Sequence, residues 1–246
     1  MKDNFSSQSD QYALYRPTYP ASVYPYLMSL VKSYNCAWDV GTGNGQVAVE
    51  LAPFFEKVIA SDISSAQLQV APSVSNVEYI VCRAESTPFQ SNSFDLITVA
   101  QAIHWFNFDQ FYNEVKRVAK PDALLVVMGY GNIKVSPAVD EVINHLYKNI
   151  TAPYWDNERT YLDENYTTIP FPFNEIIPPP FSMDLKWSVD SLKGYLNTWS
   201  GLKHCVRITG RDPISEINDD LLKAWGDEAE KTVSFPFLLR IAKINK

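Results

Sequence analysis

The chain of 246 residues carries 21 Lys and Arg against 28 Asp and Glu, a formal net charge of −7, with 46% hydrophobic and 20% charged residues. That balance excludes a disordered or fibrous chain and fits one large α/β domain, or a core domain with a modest cap. So acidic a protein repels phosphate backbones and has no window rich in Lys and Arg, which excludes nucleic acid as a partner, and no apolar run approaches the roughly 20 residues of a membrane span.

Three cysteines (Cys36, Cys82, Cys205) form no CxxC pair, as expected of a reducing compartment. The start, Met1 to Ser7, has no apolar run resembling a signal peptide, so the expected location is cytoplasmic. The aromatic share, 13%, is high and falls largely outside the strand–helix alternation described next, which fits either an aromatic-lined pocket or aromatic-rich packing.

Residues 1–15 are polar and aromatic, and Tyr15-Arg16-Pro17-Thr18-Tyr19-Pro20 then breaks the chain before a helical stretch over 21–33. Ala37–Val40 reads as a short buried strand running into glycines. Gly45–Phe55 has helical spacing with Val47, Leu51 and Phe54 on one side. Lys57–Asp62 is a second strand, Ser65–Val70 a short helix closed by Pro72, and Val77–Cys82 a third strand. Phe94–Ala102 is a strongly apolar fourth strand. Asp109–Ala119 is a helix with Phe111, Val115 and Val118 on one face, ended by Pro121, and Ala123–Met128 is a fifth strand. Such alternation requires a parallel sheet with right-handed crossovers and helices on both faces. Beyond residue 130 the order loosens. Ser136–Lys148 is helical with Pro137 at its start. The stretch 151–183 collects six prolines among Tyr154, Trp155, Tyr161, Tyr166, Phe171 and Phe173, and reads as a mobile lid or a rigid insertion. Helices follow near 189–204 and 213–225, and Thr232–Ile244 is the last strand.

The decisive local feature is Asp39-Val40-Gly41-Thr42-Gly43-Asn44-Gly45, a strand followed by glycine at every second position and then a helix. Glycines turn the backbone sharply and let a ligand lie against it. Dinucleotide sites space the third glycine differently and seat a pyrophosphate at the helix N-terminus. The tighter G-x-G-x-G suits the amino-acid and ribose portion of a ligand without phosphates. Asp62, at the end of the second strand, stands where an acid meets ribose hydroxyls; alternatively it caps the helix beginning near Ser64.

These residues resemble the class I S-adenosylmethionine-dependent methyltransferases over Trp38 to about Tyr130. The resemblance implies S-adenosyl-L-methionine as cofactor, with Asp39, Gly41, Thr42, Gly43 and Gly45 at its methionine part, Asp62 and Ile63 at the ribose, Ala84 and Glu85 beside adenine, and Gln101 and Ala102 facing the methyl donor. It implies a Rossmann-like fold: a seven-stranded, mostly parallel sheet with helices on both faces, an antiparallel C-terminal strand and a small cap. It also implies one methyltransferase domain over 1–246: a cap segment 1–33, a cofactor-binding core 34–135, a helical insert 136–231 capping the substrate, and the last strand 232–246.

At the fourth strand's end, Ala100-Gln101-Ala102-Ile103 stands where enzymes of this superfamily that methylate amide or base nitrogens carry an Asn/Asp-Pro-Pro-aromatic motif. With Tyr15–Pro20 and Tyr195-Leu196-Asn197-Thr198-Trp199-Ser200, the stretch Ala100–Phe106 looks like a trans-aconitate-methyltransferase-like group of small-molecule enzymes. That implies a small-molecule acceptor, a carboxylate among those allowed, in a pocket of Tyr15, Arg16, His104, Trp105, Trp199 and Ser200. His104 is the candidate base or hydrogen-bond donor, with a packed structural histidine as the alternative. The competing functions are a non-catalytic binding module and a nicotinamide-dependent oxidoreductase, the latter suggested by the Tyr-x-x-x-Lys spacing of Tyr112 and Lys116. Dispersed histidines and cysteines predict no metal site, and the expected assembly is a monomer or homodimer.

Overall fold

The computed structural model describes residues 15–245; the expectations for residues 1–14, the first part of the N-terminal cap segment, and for Lys246 lie outside the described residues. In chain order the elements are α1 (Val23–Leu30), β1 (Cys36–Val40), α2 (Gln46–Leu51), β2 (Lys57–Asp62), α3 (Ser65–Gln69), β3 (Val77–Val81), β4 (Phe94–Ala100), α4 (Phe108–Val118) and β5 (Ala119–Tyr130). Then come α5 (Pro137–His145), α6 (Thr160–Asp163), β6 (Asn174–Ile176), β7 (Asp184–Trp187), α7 (Val189–Asn197), α8 (Ser200–Thr209), α9 (Pro213–Trp225), β8 (Lys231–Ser234) and β9 (Phe237–Lys243).

The main sheet has seven strands in the order β3-β2-β1-β4-β5-β9-β6, with β1 to β5 mutually parallel and β9 antiparallel to both neighbours. Its central strands β1, β2, β4 and β5 read as largely apolar runs because both their faces are covered. Ala37, Val58, Leu96, Leu124 and Val126 belong to one buried cluster, while their strand neighbours Trp38, Ile59, Ile97, Leu125 and Val127 belong to the other. Helices α1 and α2 seal the first face with Val23, Leu27, Val47, Ala48 and Leu51; α4 seals the second with Phe111, Val115 and Val118.

Several expectations are corrected. Phe54 stands 38% exposed after α2 has ended at Leu51, and Phe55 takes the buried place. The fourth strand stops at Ala100, because Gln101 turns to φ +52°. The helix expected over 189–204 breaks at Thr198-Trp199. There the Thr198 hydroxyl bonds back to the Tyr195 carbonyl at 2.6 Å, and the Arg16 guanidinium takes the Thr198 carbonyl at 3.2 Å. The last strand splits at Pro236, which has no N–H to continue a ladder: β8 pairs with β7, and β9 joins the main sheet. Among the described residues no helix is long and apolar enough to cross a membrane.

Candidate functional site

Ligands in open α/β sheets lie outside the carboxyl ends of the strands. At that edge the turns after β1, β2 and β4 enclose a cleft of about 1010 Å³, open to solvent. The loop after β1 makes its floor. A Cβ at Gly41 would come within 2.6 Å of the Ala102 Cβ, and one at Gly45 within 2.5 Å of the Tyr79 hydroxyl, so both glycines serve packing. Gly43 differs: its backbone is left-handed at φ +56°, yet an added Cβ would meet only the Gln67 side-chain oxygen, at 3.9 Å. The space beside it is cleft.

Asp39, fully buried at the end of β1, ties the loop to the sheet. Its carboxylate accepts from the Thr42 hydroxyl at 2.5 Å and the Thr98 hydroxyl at 2.8 Å. Burial outweighs those bonds and pushes its pKa up to about 6. Asp62, ending β2, accepts from the Gly43 amide at 2.9 Å through one oxygen and from the Ser64 amide at 2.9 Å through the other. The cap of α3 belongs instead to Ser64, whose hydroxyl accepts from the Gln67 amide. Asp62 therefore staples the glycine loop to the second strand and stands in the cleft wall.

A second chamber, about 490 Å³, adjoins the first and shares Arg16, Gln101 and Trp105 with it. Its other walls are His104, Trp155, Asp156, Arg159, Leu162, Trp199 and Ser200. Arg16 donates to the Tyr130 hydroxyl at 3.0 Å and lies 5.6 Å from the centre of the Tyr195 ring. Arg159 lies over Trp155 and Tyr147, donates to the Tyr147 hydroxyl at 3.1 Å and to the Asn132 side chain, and pairs with Asp163 at 3.5 Å. Two guanidinium groups and one carboxylate, Asp156, thus face a chamber walled otherwise mainly by aromatic rings. His104 is buried there, with Nδ1 3.0 Å from the Tyr166 hydroxyl. Burial first, then the charges of Arg159 and Arg16, lower its pKa to about 3, so the imidazole is neutral at physiological pH.

The structure brings Asp39, Gly41, Thr42, Gly43, Asp62, Ile63, Ala84, Gln101 and Ala102 to the first cleft, and Arg16, His104, Trp105, Trp199 and Ser200 to the second chamber. Three expected residues line neither. Gly45 makes room for Tyr79 on β3. Glu85 turns away, accepting from the Asn107 amide at 3.1 Å ahead of α4 and pairing with Arg83 at 3.6 Å. Tyr15 lays its ring where a Cβ at Gly194 of α7 would stand. The Tyr112 hydroxyl bonds to the Pro170 carbonyl at 2.5 Å, and Lys116 lies over Phe173, which removes the dehydrogenase-like pair from the cleft. Sequence reasoning missed Tyr19, Gln67, Phe106 and Tyr130 in the first cleft and Trp155, Asp156, Arg159 and Leu162 in the second chamber. A lone arginine among Tyr154, Trp155 and Tyr161 was the one available signal. Among the described residues no group of three or more His, Cys, Asp or Glu could hold a metal ion.

Comparison with known proteins gives a consistent picture. A family model described as a methyltransferase domain matches residues 38–127. A candidate methyltransferase of Dictyostelium discoideum is 36% identical over 98% of this chain and 95% of its own length. A candidate type II methyltransferase from Anaeromyxobacter dehalogenans has a solved structure that is 39% identical, with a TM-score of 0.85 over 93% of this chain and 98% of that one. A further candidate methyltransferase, from Bacillus halodurans, shares 19% identity and a TM-score of 0.53 over 91% of this chain and 98% of that one, a likeness of fold alone.

Proposed function

Since the chain belongs to the class I S-adenosylmethionine-dependent methyltransferases, we propose that it binds S-adenosylmethionine in the glycine-loop cleft and methylates a small anionic acceptor held in the adjoining chamber. The observation that carries this reading is the pairing of two connected chambers of opposite character. One is floored by open backbone at Gly43 beside the Asp62 carboxylate; the other is flanked by Arg16 and Arg159.

The residues fit the cofactor. Gly43 presents backbone with no side chain in the way, and Asp62, fixed by two amides, places its carboxylate in the cleft wall beside it, where an acid suits sugar hydroxyls. When bound, S-adenosylmethionine supplies a methyl group activated by a sulfonium. The protein's task is therefore to align the acceptor and exclude water. Arg16 and Arg159 bind the acceptor's anionic group by charge-assisted hydrogen bonds, and Trp105, Trp155 and Trp199 enclose its body. The small volume of the second chamber favours a metabolite over a macromolecule. The likeness to trans-aconitate-methyltransferase-like enzymes supports the same reading, because the three motifs that carry it supply Arg16, Gln101, His104, Trp105, Trp199 and Ser200.

Calorimetric titration with S-adenosylhomocysteine and with NADH tests the first chamber; binding of NADH in preference to S-adenosylhomocysteine would overturn it. Transfer of labelled methyl into a panel of small carboxylic acids tests the second. Tight cofactor binding with no transfer across a broad panel would favour a binding module.

A further inference from the structure

One hydrogen-bond chain runs between the chambers, and its directions are determined by chemistry. Gln101 donates its side-chain amide to the Tyr130 carbonyl at 3.1 Å, which leaves its Oε1, an acceptor without hydrogen, 3.3 Å from the Tyr166 hydroxyl. A phenol has one hydrogen. If Tyr166 gives it to Gln101, the phenol oxygen must accept from the 3.0 Å contact with His104, so Nδ1 carries the imidazole proton. The reverse assignment would set two bare oxygens, those of Tyr166 and Gln101, against each other. With the ring neutral and Nδ1 protonated, Nε2 bears a lone pair, and it has no partner among the described residues.

The backbone keeps this chain in place at visible cost. Gln101 (φ +52°) and Tyr166 (φ +59°) are two of the five described non-glycine residues with left-handed φ, and Tyr166 follows a third, Asn165. A bulky residue there is an outlier that persists only where its surroundings impose it. The surroundings here are specific. The Tyr166 amide bonds to the Tyr161 carbonyl at 2.7 Å, Arg240 holds its carbonyl at 3.0 Å, and its ring fills the space that a Cβ at Gly129 would invade at 2.7 Å.

Resting on the two-chamber reading above, we propose that Gln101 and Tyr166 lock His104 in the Nδ1–H tautomer, turning a bare Nε2 lone pair toward the acceptor chamber and selecting acceptors that present an O–H or N–H there. The anionic group held by the arginines is then a handle, and the nucleophile is a protic atom beside it. As that atom bonds to the methyl carbon, the carbon–sulfur bond breaks with its electron pair left on sulfur as a thioether, and the proton shed by the acceptor passes to Nε2. Even an imidazole of lowered basicity takes a proton from a freshly alkylated oxygen, which is a far stronger acid. Tyr166 and Gln101 act through His104 and are positioning residues.

The chain contains only three histidines, so nitrogen NMR of histidine-labelled protein reads the tautomer directly, with His145→Gln and His204→Gln completing the assignment. The wild type should show a pyridine-like Nε2 and a pyrrole-like Nδ1 at His104. Tyr166→Phe, or Gln101→Met if the first variant does not fold, should lose that preference. On any acceptor found, Tyr166→Phe should lower kcat by at least about tenfold with KM little changed, as expected for weakened proton acceptance. A pyrrole-like Nε2 in the wild type, or an unchanged tautomer in both variants, overturns the proposal. So does methylation of succinate, which offers carboxylates alone, at the rate of malate. Because the tautomer is read without cofactor, failure to bind S-adenosylhomocysteine would count against the two-chamber reading and not against the lock.

Discussion

Replacing Gly43 by alanine separates fold from ligand binding in a way that replacing Gly41 does not. Both glycines are left-handed, and an L side chain there costs about 1–2 kcal/mol. At Gly43 nothing more is lost, because the new methyl meets only the Gln67 oxygen at 3.9 Å. In a chain of this length that cost lowers Tm by roughly 2–8 °C. At Gly41 the methyl would lie 2.6 Å from the Ala102 Cβ, adding an overpacking cost of about 1–3 kcal/mol. Ligand affinity reverses the order for the milder variant: a methyl at Gly43 occupies the floor of the cleft, where the ligand backbone would lie. Loss of about 3 kcal/mol of binding weakens affinity more than a hundredfold. Thermal melts paired with calorimetric titration of S-adenosylhomocysteine measure both quantities. Wild-type affinity in Gly43→Ala, or melting as low as that of Gly41→Ala, would refute the reasoning.

Other outcomes follow from the same geometry. Asp39 has a folded-state pKa of about 6 against an ordinary 3.8, so the folded protein holds the extra proton between those values and loses roughly 3 kcal/mol of stability as pH rises through that window. His104, lowered to about 3 from 6.5, acts oppositely, and its contribution is lost as pH falls below 6.5. Denaturant melts from pH 4 to 7 should therefore show Asp39→Asn steepening the rise of stability with pH and His104→Gln flattening it; the same slope in both variants would contradict the burial argument. Arg159→Leu should raise KM for an anionic acceptor about tenfold or more while leaving S-adenosylhomocysteine affinity intact, since Arg159 lines the second chamber alone. His104→Ala should likewise keep cofactor affinity and lose turnover, and a fully active variant would remove His104 from the chemistry.

The core of the fold was readable because β1, β2, β4 and β5 are buried on both faces. Each carries a mainly apolar stretch, and glycines or an acid mark the ends of β1 and β2. The same signal failed where tertiary contacts decide. Periodicity could not choose between Phe54 and Phe55, since α2 ends before either. Gly45 followed the ligand pattern but serves Tyr79, and Glu85 answers an amide at Asn107 that no local rule connects to it. The expected strand Thr232–Ile244 ran through Pro236, whose missing N–H is the local signal for the break that the structure shows. Arg159 lies in a proline-rich stretch without periodicity, and only long-range packing carries it to Arg16 and His104. Much of the donor cleft was therefore local in sequence, whereas the acceptor chamber is assembled from segments more than 180 residues apart.

Arg16 borders both chambers at once. On the proposed assignment its positive charge opposes a sulfonium on one side and attracts an anion on the other, so the two ligands communicate through a single cation. Each then tightens the other by the same factor, because coupling free energy is reciprocal. Once the sulfur has become a neutral thioether, Arg16 no longer repels it, and the coupling carried by that one cation ends with the change of charge.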